Sequence, residues 1–267
     1  ANGTKQWDSI YGGTSVDLGG CRIIKKNGGF LLGGYSQSPS SGNKTRNTFG
    51  FYDYWVVKIN ANGTKQWDSI YGGTDYEEIY TIIPTSDGGF LLGGYSQSNA
   101  SGNKTRNSFG VEDYWIVKID ANGTKQWDSI YGGTASENFS DIISTGDGGY
   151  LLGGYSASNA SGNKTRNTFG SNDYWIVKIN ANGLKQWDSI YGGTAIDNFR
   201  DMVSTNDGGY ILGGYSQSGI NGNKTINSFG NYDYWSIKIN ENGTKIKEKV
   251  YGGTTLDAAT SKIATKD

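Results

Sequence analysis

The sequence predicts an all-β fold, a β-propeller built from four-stranded meander blades. Two observations support this prediction. First, a unit of about 60 residues recurs, since Ala-Asn-Gly-Thr-Lys-Gln-Trp starts at Ala1, Ala61 and Ala121 and returns with one change at Ala181. Second, β-branched and aromatic runs alternate with glycine-rich and asparagine-rich turns in every copy, without helical periodicity. A meander repeated at this period is typical of propeller blades.

The second copy shows the order of the predicted strands. Ile79 to Ile83 is a β-branched run in which Ile82 and Ile83 are assigned to strand A, and a Ser-Asp-Gly-Gly turn separates it from strand B at Phe90 to Ser96. A long polar loop leads to strand C at Tyr114 to Ile119. A turn containing Asn-Gly then joins strand C to strand D at Lys125 to Tyr131. Four strands in up-and-down order make one blade.

The repeat also sets the boundaries of the blades within one domain, residues 1–267. Lone strands at the ends leave unpaired edges, so we expect them to pair with each other's blade or to mediate self-association with another chain. A β-solenoid or other linear repeat array is the alternative, because near-identical copies can also stack linearly. The expected segments are a lone D strand in 1–12 (Lys5 to Tyr11), blades at 13–72, 73–132, 133–192 and 193–252, and a lone A strand in 253–267 (Ser261 to Thr265).

The eight tryptophans support the blade prediction, because they occupy only two positions of the repeat. Rings at equal positions in successive copies suit a core formed between neighbouring blades, so we expect both columns to be buried. The columns are Trp7, Trp67, Trp127 and Trp187 in strand D, and Trp55, Trp115, Trp175 and Trp235 in strand C.

Composition excludes several classes of function. The formal net charge of -1 gives no basic surface for a nucleic-acid backbone, and no apolar run is long enough for membrane insertion. With no histidine and one cysteine, imidazole catalysis and Cys/His zinc sites are excluded. No nucleophile, base and orienting group occur together as a unique set, so we expect neither an enzyme nor a cofactor.

Several motifs resemble the propeller-type repeats of large secreted and cell-surface proteins, notably bacterial ones. The resemblance covers the whole chain and implies a scaffold for adhesion or ligand binding, located outside the cell or on its surface, with no shared catalytic residues. The motifs are Asp113-Tyr-Trp-Ile-Val-Lys-Ile, Asn122-Gly, Trp127, Tyr131-Gly-Gly and Asp147-Gly-Gly-Tyr-Leu-Leu-Gly-Gly-Tyr.

The long loop between strands B and C is the first candidate binding site. It barely changes between copies, and in a propeller it shares one face with the D–A loops. Amide, hydroxyl and guanidinium groups suit the hydroxyls of a sugar, and Phe109 could stack on the apolar face of the sugar ring. Alternatively, the loop only forms turns, Phe109 plugs a gap between blades and the cations are solvated. The candidate ligand-binding residues are Asn43, Lys44, Arg46, Asn103, Lys104, Arg106, Asn163, Lys164, Arg166, Asn223 and Lys224.

An acidic column in the D–A loops is the second candidate. A carboxylate kept among changing neighbours could bind a cation or a sugar hydroxyl, or pair with the loop arginines. We favour the alternative, in which it accepts hydrogen bonds from backbone N–H groups of the adjacent Gly-Gly turn. Too few oxygens lie close together in sequence to predict a metal site. The column consists of Asp17, Glu77, Glu137, Asp197 and Asp257.

We therefore expect a non-enzymatic extracellular domain for multivalent binding or adhesion, with a glycan or glycoprotein surface as its partner. The alternative is a structural spacer or a building block of a filament or surface layer. Asn-x-Ser/Thr sequons predict glycosylation if the chain is secreted. They occur in turns at Asn2, Asn62, Asn122 and Asn242, and in loops at Asn43, Asn99, Asn103, Asn138, Asn159, Asn163 and Asn223.

Overall fold

The computed structural model describes residues 3–19, 24–26 and 28–257, and these form seventeen β-strands. No helix occurs in this part of the chain, and so none that could cross a membrane.

The strands group into four blades. Blade 1 comprises β1 (Asp17–Gly19), β2 (Ile24–Lys26), β3 (Gly29–Ser36), β4 (Asp53–Ile59) and β5 (Lys65–Tyr71). Blade 2 comprises β6 (Glu77–Pro84), β7 (Phe90–Ser96), β8 (Asp113–Ile119) and β9 (Lys125–Tyr131). Blade 3 comprises β10 (Glu137–Ser144), β11 (Tyr150–Ser156), β12 (Asp173–Ile179) and β13 (Lys185–Tyr191). Blade 4 comprises β14 (Asp197–Ser204), β15 (Tyr210–Ser216), β16 (Asp233–Ile239) and β17 (Lys245–Tyr251).

Each blade is an antiparallel meander in which strands pair with their neighbours in the chain. Blades 2, 3 and 4 follow the simple A–B–C–D order, and in blade 1 both β1 and β2 pair with β3. In blade 3, strand A has a register shift between Phe139 and Asp141, while strands B and C pair without interruption. The predicted all-β class and four-stranded meander are therefore confirmed. The antiparallel pairing differs from the stacked coils of a β-solenoid.

The chain divides into two compact units. Unit 1 contains residues 1–108 and 115–130, and unit 2 contains residues 109–114 and 131–267. Consecutive blades pack against each other inside each unit, β3 and β4 against β6 in the first and β11 and β12 against β14 in the second.

Strand C tryptophans form the centre of both cores. In unit 1, Tyr54 packs its ring against Trp115 at a centroid distance of 4.8 Å and donates a hydrogen bond to the Trp115 carbonyl at 3.1 Å. Tyr174 and Trp235 repeat this contact in unit 2, at 5.0 Å and 3.1 Å. All four strand C tryptophans are buried, as predicted.

The tryptophans of strand D are less buried than those of strand C, although Trp67 and Trp187 pack against the cores of their units. Trp67 is only half-buried, and its ring lies against Gly123 in the Asn-Gly turn of the next blade. Gly123 has a φ of 82°, and a side chain there would meet the indole at 2.8 Å, so glycine serves both the turn and the ring contact. The neighbouring Tyr71 hydroxyl donates to the Gly123 carbonyl at 2.5 Å. Strand D therefore contacts the C–D turn of the next blade through Trp67 and Tyr71, and both side chains also belong to or pack on the core of unit 1.

The structure assigns no strand to Lys5 to Tyr11, where the sequence predicts a lone D strand. This segment instead lies beside the C–D turn of blade 1. The Trp7 indole donates to the Ala61 carbonyl at 2.9 Å, and Tyr11 donates to the Gly63 carbonyl. A lone segment without neighbouring strands has no ladder to join, although its side chains keep the contacts of the repeat. The predicted strand at Ser261 to Thr265 lies outside the described residues, so pairing of the ends stays a prediction.

Candidate functional site

The B–C loop of each blade is bound to the turn that precedes that blade. In unit 1, Asn103 accepts a hydrogen bond from the Gly72 N–H at 3.0 Å and donates its amide to the Ile70 carbonyl at 2.8 Å. Asn43 and Asn223 make both equivalent contacts, and Asn163 accepts from the Gly132 N–H at 3.0 Å. The B–C and D–A loops are thus adjacent, as predicted, but the asparagine amides connect blades. They are not free to bind a sugar.

The loop lysines are buried, contrary to both sequence-based alternatives. Lys104 is 3% exposed, and its ammonium donates to the Ser98 carbonyl at 2.6 Å and to the Arg106 carbonyl. Lys44, Lys164 and Lys224 are equally buried and bind the corresponding carbonyls. Burial lowers the pKa of Lys164 to about 8. These ammonium groups hold the loop in shape, so they are neither ligand contacts nor solvated charges.

We expect Lys104→Met to lower the free energy of unfolding by about 1–3 kcal/mol, because methionine fills the space but leaves buried carbonyls without a donor. Denaturant unfolding measures the loss. Arg106→Met is the matched control two residues away, since Arg106 is exposed, and it should stay within about 0.5 kcal/mol of the parent. Equal effects of both substitutions would contradict the structural role of the lysine.

The acidic column has the role that we favoured. The Glu77 carboxylate is inaccessible to solvent and accepts hydrogen bonds from the Gly73 N–H at 2.7 Å and from the Ser96 hydroxyl at 2.6 Å. The other members each accept from the corresponding glycine N–H, and no ion pair between this column and a loop arginine occurs among the described residues. The members with this contact are Asp17, Glu77, Glu137, Asp197 and Asp257.

A second buried carboxyl group lies beside this column and was not predicted from sequence. Asp53 begins strand C, is inaccessible to solvent, and accepts the Phe49 N–H at 2.6 Å through Oδ2. Its Oδ1 has no hydrogen-bond partner among the described residues and faces Gly72. A side chain at Gly72 would meet Asp53 Oδ1 at 1.7 Å and Glu77 Oε2 at 2.7 Å, so both carboxyl groups crowd the same glycine. An aspartate precedes the Tyr-Trp pair in every copy, and this constancy is the sequence signal that indicates a structural role for Asp53.

Burial raises the pKa of these strand C aspartates, and the neighbouring acid raises it further. The pKa values of Asp53, Asp113 and Asp173 are each raised to about 7. Backbone hydrogen bonds to Oδ2 oppose this rise, but two negative charges in a dry site repel strongly. A proton on Asp53 would supply the donor that Oδ1 lacks. Asp53, Asp113 and Asp173 therefore each bind a proton near neutral pH.

A third acidic position, in strand D, anchors the B–C loop within its own blade. Asp68 accepts hydrogen bonds from the Thr45 N–H at 2.9 Å, the Thr45 hydroxyl at 2.6 Å and the Trp55 indole at 3.1 Å, and it pairs with Lys65 at 2.8 Å. Burial alone would raise the pKa of Asp68, but these four donors outweigh it and lower the pKa. Its partners fix the base of the loop.

The arginines are the candidate residues that remain free to meet a ligand. Arg46 is exposed and borders a groove between blades 1 and 2, of about 270 Å³. Phe49 borders the same groove with 44% of its surface exposed, while its ring also lies against Gly102. The remaining lining residues are Asn47, Ser69, Ile70, Tyr71, Asn103, Gly123 and Lys125.

Unit 2 contains the same groove between blades 3 and 4, with a volume of about 410 Å³. Arg166 and Phe169 take the places of Arg46 and Phe49, and Phe169 is 43% exposed. The other lining residues are Asn167, Ser189, Ile190, Tyr191, Asn223, Gly243 and Lys245. We call these two sites the interblade grooves. Each combines a guanidinium group, an amide and an exposed ring.

A further groove in unit 2, of about 360 Å³, lies beside the half-buried strand D tryptophan of blade 3. Its lining includes Trp187, Gln186 and Asn242, together with the ion pair between Lys178 and Asp147. The incomplete burial of the strand D tryptophans, which the repeat pattern did not reveal, opens this site.

The asparagine contacts also limit where glycans can be attached. The Asn103 amide nitrogen is the atom that would carry a glycan, and it donates to Ile70, as Asn43 and Asn223 donate in their copies. Modification there would break the contact between loop and blade. Asn62 and Asn122 are exposed in turns and carry no such constraint. Among the described residues, no cluster of three metal-ligating side chains of the Asp, Glu, His or Cys type is found.

Comparison with known proteins does not assign a family. No family model and no curated protein matches this chain. Solved structures that it resembles include a protein of unknown function from Bacteroides caccae, at 11% identity over 93% of this chain and 89% of that chain, with a TM-score of 0.33. Kuenenia stuttgartiensis hydrazine synthase matches at 10% identity over 91% and 69% of the two chains, with a TM-score of 0.45. A variant of Synechocystis apocarotenoid oxygenase matches at 8% identity over 84% and 46%, with a TM-score of 0.39. At these scores the similarity assigns no activity.

Proposed function

We propose that this chain is a non-enzymatic domain for multivalent binding, that it acts outside the cell or at its surface, and that its ligand is a carbohydrate. The interblade grooves are the binding sites. Arg46 and the amide nitrogen of Asn47 offer donors for sugar hydroxyls, since the Asn47 Oδ1 already accepts the Ser40 N–H at 2.8 Å, and the exposed Phe49 ring offers an apolar face on which a sugar ring stacks.

One observation supports this proposal above the others. The asparagine, lysine and acidic side chains of the loop are engaged in holding the blades, whereas Arg46 and Phe49 stay exposed at a groove. The same pair recurs as Arg166 and Phe169 in unit 2. The hydrogen-bond network does not need an exposed ring beside a guanidinium group, so a binding role accounts for the presence of this pair in both grooves.

Repetition would strengthen a weak site. Shallow grooves of this size bind single sugars weakly, but sites linked in one chain can bind a surface together. Avidity of this kind raises overall binding by about 10²- to 10⁴-fold without new contacts. A glycan array tests the proposal directly, and we expect binding that depends on the density of the immobilised glycan. Absence of binding across neutral and charged glycans would contradict it.

The triple substitution of Arg46, Arg106 and Arg166 by alanine should abolish most of the binding to a dense glycan surface. A single substitution at Arg46 or Arg166 should reduce it less, because the other groove stays intact. Stability should change by no more than about 0.5 kcal/mol for each arginine, since their side chains are exposed. Surface plasmon resonance on the selected glycan measures binding, and thermal unfolding measures stability.

A structural spacer is the second candidate function, and the extent of the hydrogen-bond network between loops and blades favours it. The two functions predict different results for the triple arginine variant. A spacer has no ligand to lose, and its arginines would matter only for stability. A variant that unfolds markedly earlier but retains glycan binding would exclude the groove as the site.

A further inference from the structure

Strand β17 departs from the repeat in a way that changes its charge. The strands β5, β9 and β13 all read Lys-Gln-Trp-Asp-Ser-Ile-Tyr, whereas β17 reads Lys-Ile-Lys-Glu-Lys-Val-Tyr. Lys247 and Lys249 replace the residues that correspond to Trp187 and Ser189. The strand thus carries three lysines and one glutamate in place of one lysine and one aspartate. In a chain of near-identical copies, this makes β17 a unique surface.

The substituted residues lie on one exposed face. Alternate residues of a strand point to the same side, so Lys247, Lys249 and Tyr251 share a face. Both lysines are exposed, and neither forms an ion pair within the part of the chain that the structure describes. Lys245, by contrast, is paired with Glu248 at 2.9 Å. The two free ammonium groups are therefore available to a partner.

The same face carries apolar surface. Tyr251 is 52% exposed, whereas its counterparts Tyr71 and Tyr191 are 2% exposed because the next blade covers them. Ile211 is 39% exposed and borders, together with Tyr251 and the two lysines, a shallow groove of about 200 Å³. Ser236, Lys238 and Glu248 complete the lining, with Lys238 paired with Asp207 and Glu248 paired with Lys245. A ligand in this groove would therefore meet a ring, an aliphatic side chain and the two unpaired cations.

We propose that this face of β17 binds an acidic polysaccharide. Lys247 and Lys249 would contact carboxylate or sulfate groups, and Tyr251 and Ile211 would pack against the apolar face of a sugar ring. The two lysines lie about 7 Å apart along the strand, from the rise of about 3.4 Å per residue. A partner whose charges repeat along a chain can therefore reach both at once. This site is separate from the interblade grooves and does not depend on their function.

Protection of an edge strand is the competing explanation, because lysines on an exposed edge discourage pairing with other chains. That role needs charge alone and makes no use of Tyr251. It predicts that removing the lysines causes self-association without affecting any ligand. The binding proposal predicts loss of a ligand from a monodisperse protein. The two explanations therefore differ in measurable ways.

Affinity electrophoresis of the full chain in gels containing polygalacturonate, with dextran as the neutral control, tests the proposal. The parent chain should be retarded by polygalacturonate and not by dextran, and added salt should weaken the retardation. The variant Lys247→Gln/Lys249→Ser should bind about tenfold more weakly, while Lys247→Arg/Lys249→Arg retains binding. Circular dichroism and size-exclusion chromatography establish that each variant is folded and show whether it associates.

Four results would overturn the proposal. The first is equal retardation of the parent and of the Lys247→Gln/Lys249→Ser variant. The second is self-association of that variant with its retention by polygalacturonate unchanged, which would assign the lysines to edge protection. The third is retardation by single-stranded DNA as strong as by polygalacturonate, since a non-specific cationic strip would bind any polyanion. The fourth is unchanged retention of a Tyr251→Ala variant, because the proposed site includes this ring.

Discussion

Replacing Trp115 by alanine is expected to lower the free energy of unfolding by about 3–5 kcal/mol, the range for removing a large buried ring. Trp115 is inaccessible to solvent, packs against Tyr54 from the neighbouring blade, and donates its indole N–H to Asp128 at 3.1 Å. The substitution leaves a cavity and removes a donor from a buried carboxylate. Denaturant unfolding followed by near-UV circular dichroism measures the effect.

Trp7→Ala is the matched control, because Trp7 belongs to the other tryptophan column and is 39% exposed. Its indole donates to a single carbonyl, so its removal should cost well under half as much as the removal of Trp115. Equal losses for the two variants would mean that the strand C column is not the centre of the core. Both expected losses of stability are independent of whether the chain binds a glycan.

Stability is expected to fall as the pH rises from about 5 to about 8, with a decrease in melting temperature of at least about 5 °C. The cause is the raised pKa of about 7 at Asp53, Asp113 and Asp173, against 3.8 for the ordinary side chain. A group whose pKa is raised by folding makes its full contribution to the free energy of unfolding at a pH below its pKa in the unfolded chain. That stabilisation is lost as the pH rises through the folded pKa.

In acid, stability is expected to fall as the pH decreases, because the strand D carboxylates lose their charge. Folding lowers the pKa values of Asp68, Asp128, Asp188 and Glu248, so their stabilisation is lost as the pH falls through these lowered values. Stability should therefore be greatest in mildly acidic solution. Thermal unfolding across this pH range measures both limbs of the curve.

The variant Asp53→Asn/Asp113→Asn/Asp173→Asn isolates the cause. Asparagine keeps an acceptor for the backbone N–H groups and places a donor where the carboxyl proton would be, without a charge. At about pH 8 this variant should be more stable than the parent, and its stability should change little between about pH 5 and about pH 8. Asp75→Asn, on the D–A turn, is the control and should keep the parent's pH dependence. A parent protein whose stability is constant or rises over this range would refute the prediction.

The fold could be predicted from the sequence because the information is local and repeated. Strands B and D of the second copy were placed at Phe90 to Ser96 and Lys125 to Tyr131, which are the observed bounds of β7 and β9. Alternating apolar residues and glycine turns specify such strands without reference to distant contacts. Because the other copies have nearly the same sequence, the strands placed in one copy also predict the strands of the others.

The sequence by itself also favoured a carboxylate that holds each Gly-Gly turn, because every copy contains the same turn beside an acidic residue. It could not determine the state of Lys104, which a loop rich in polar residues predicts to be solvated but which is 3% exposed. It likewise missed Asp53, whose unpartnered oxygen arises from its approach to Gly72 and Glu77. Burial and the pairing of distant carboxyl groups depend on how consecutive blades meet. Only the tertiary structure fixes that contact, because Gly72 and Glu77 belong to a segment that follows strand D and approach Asp53 only once the blades pack.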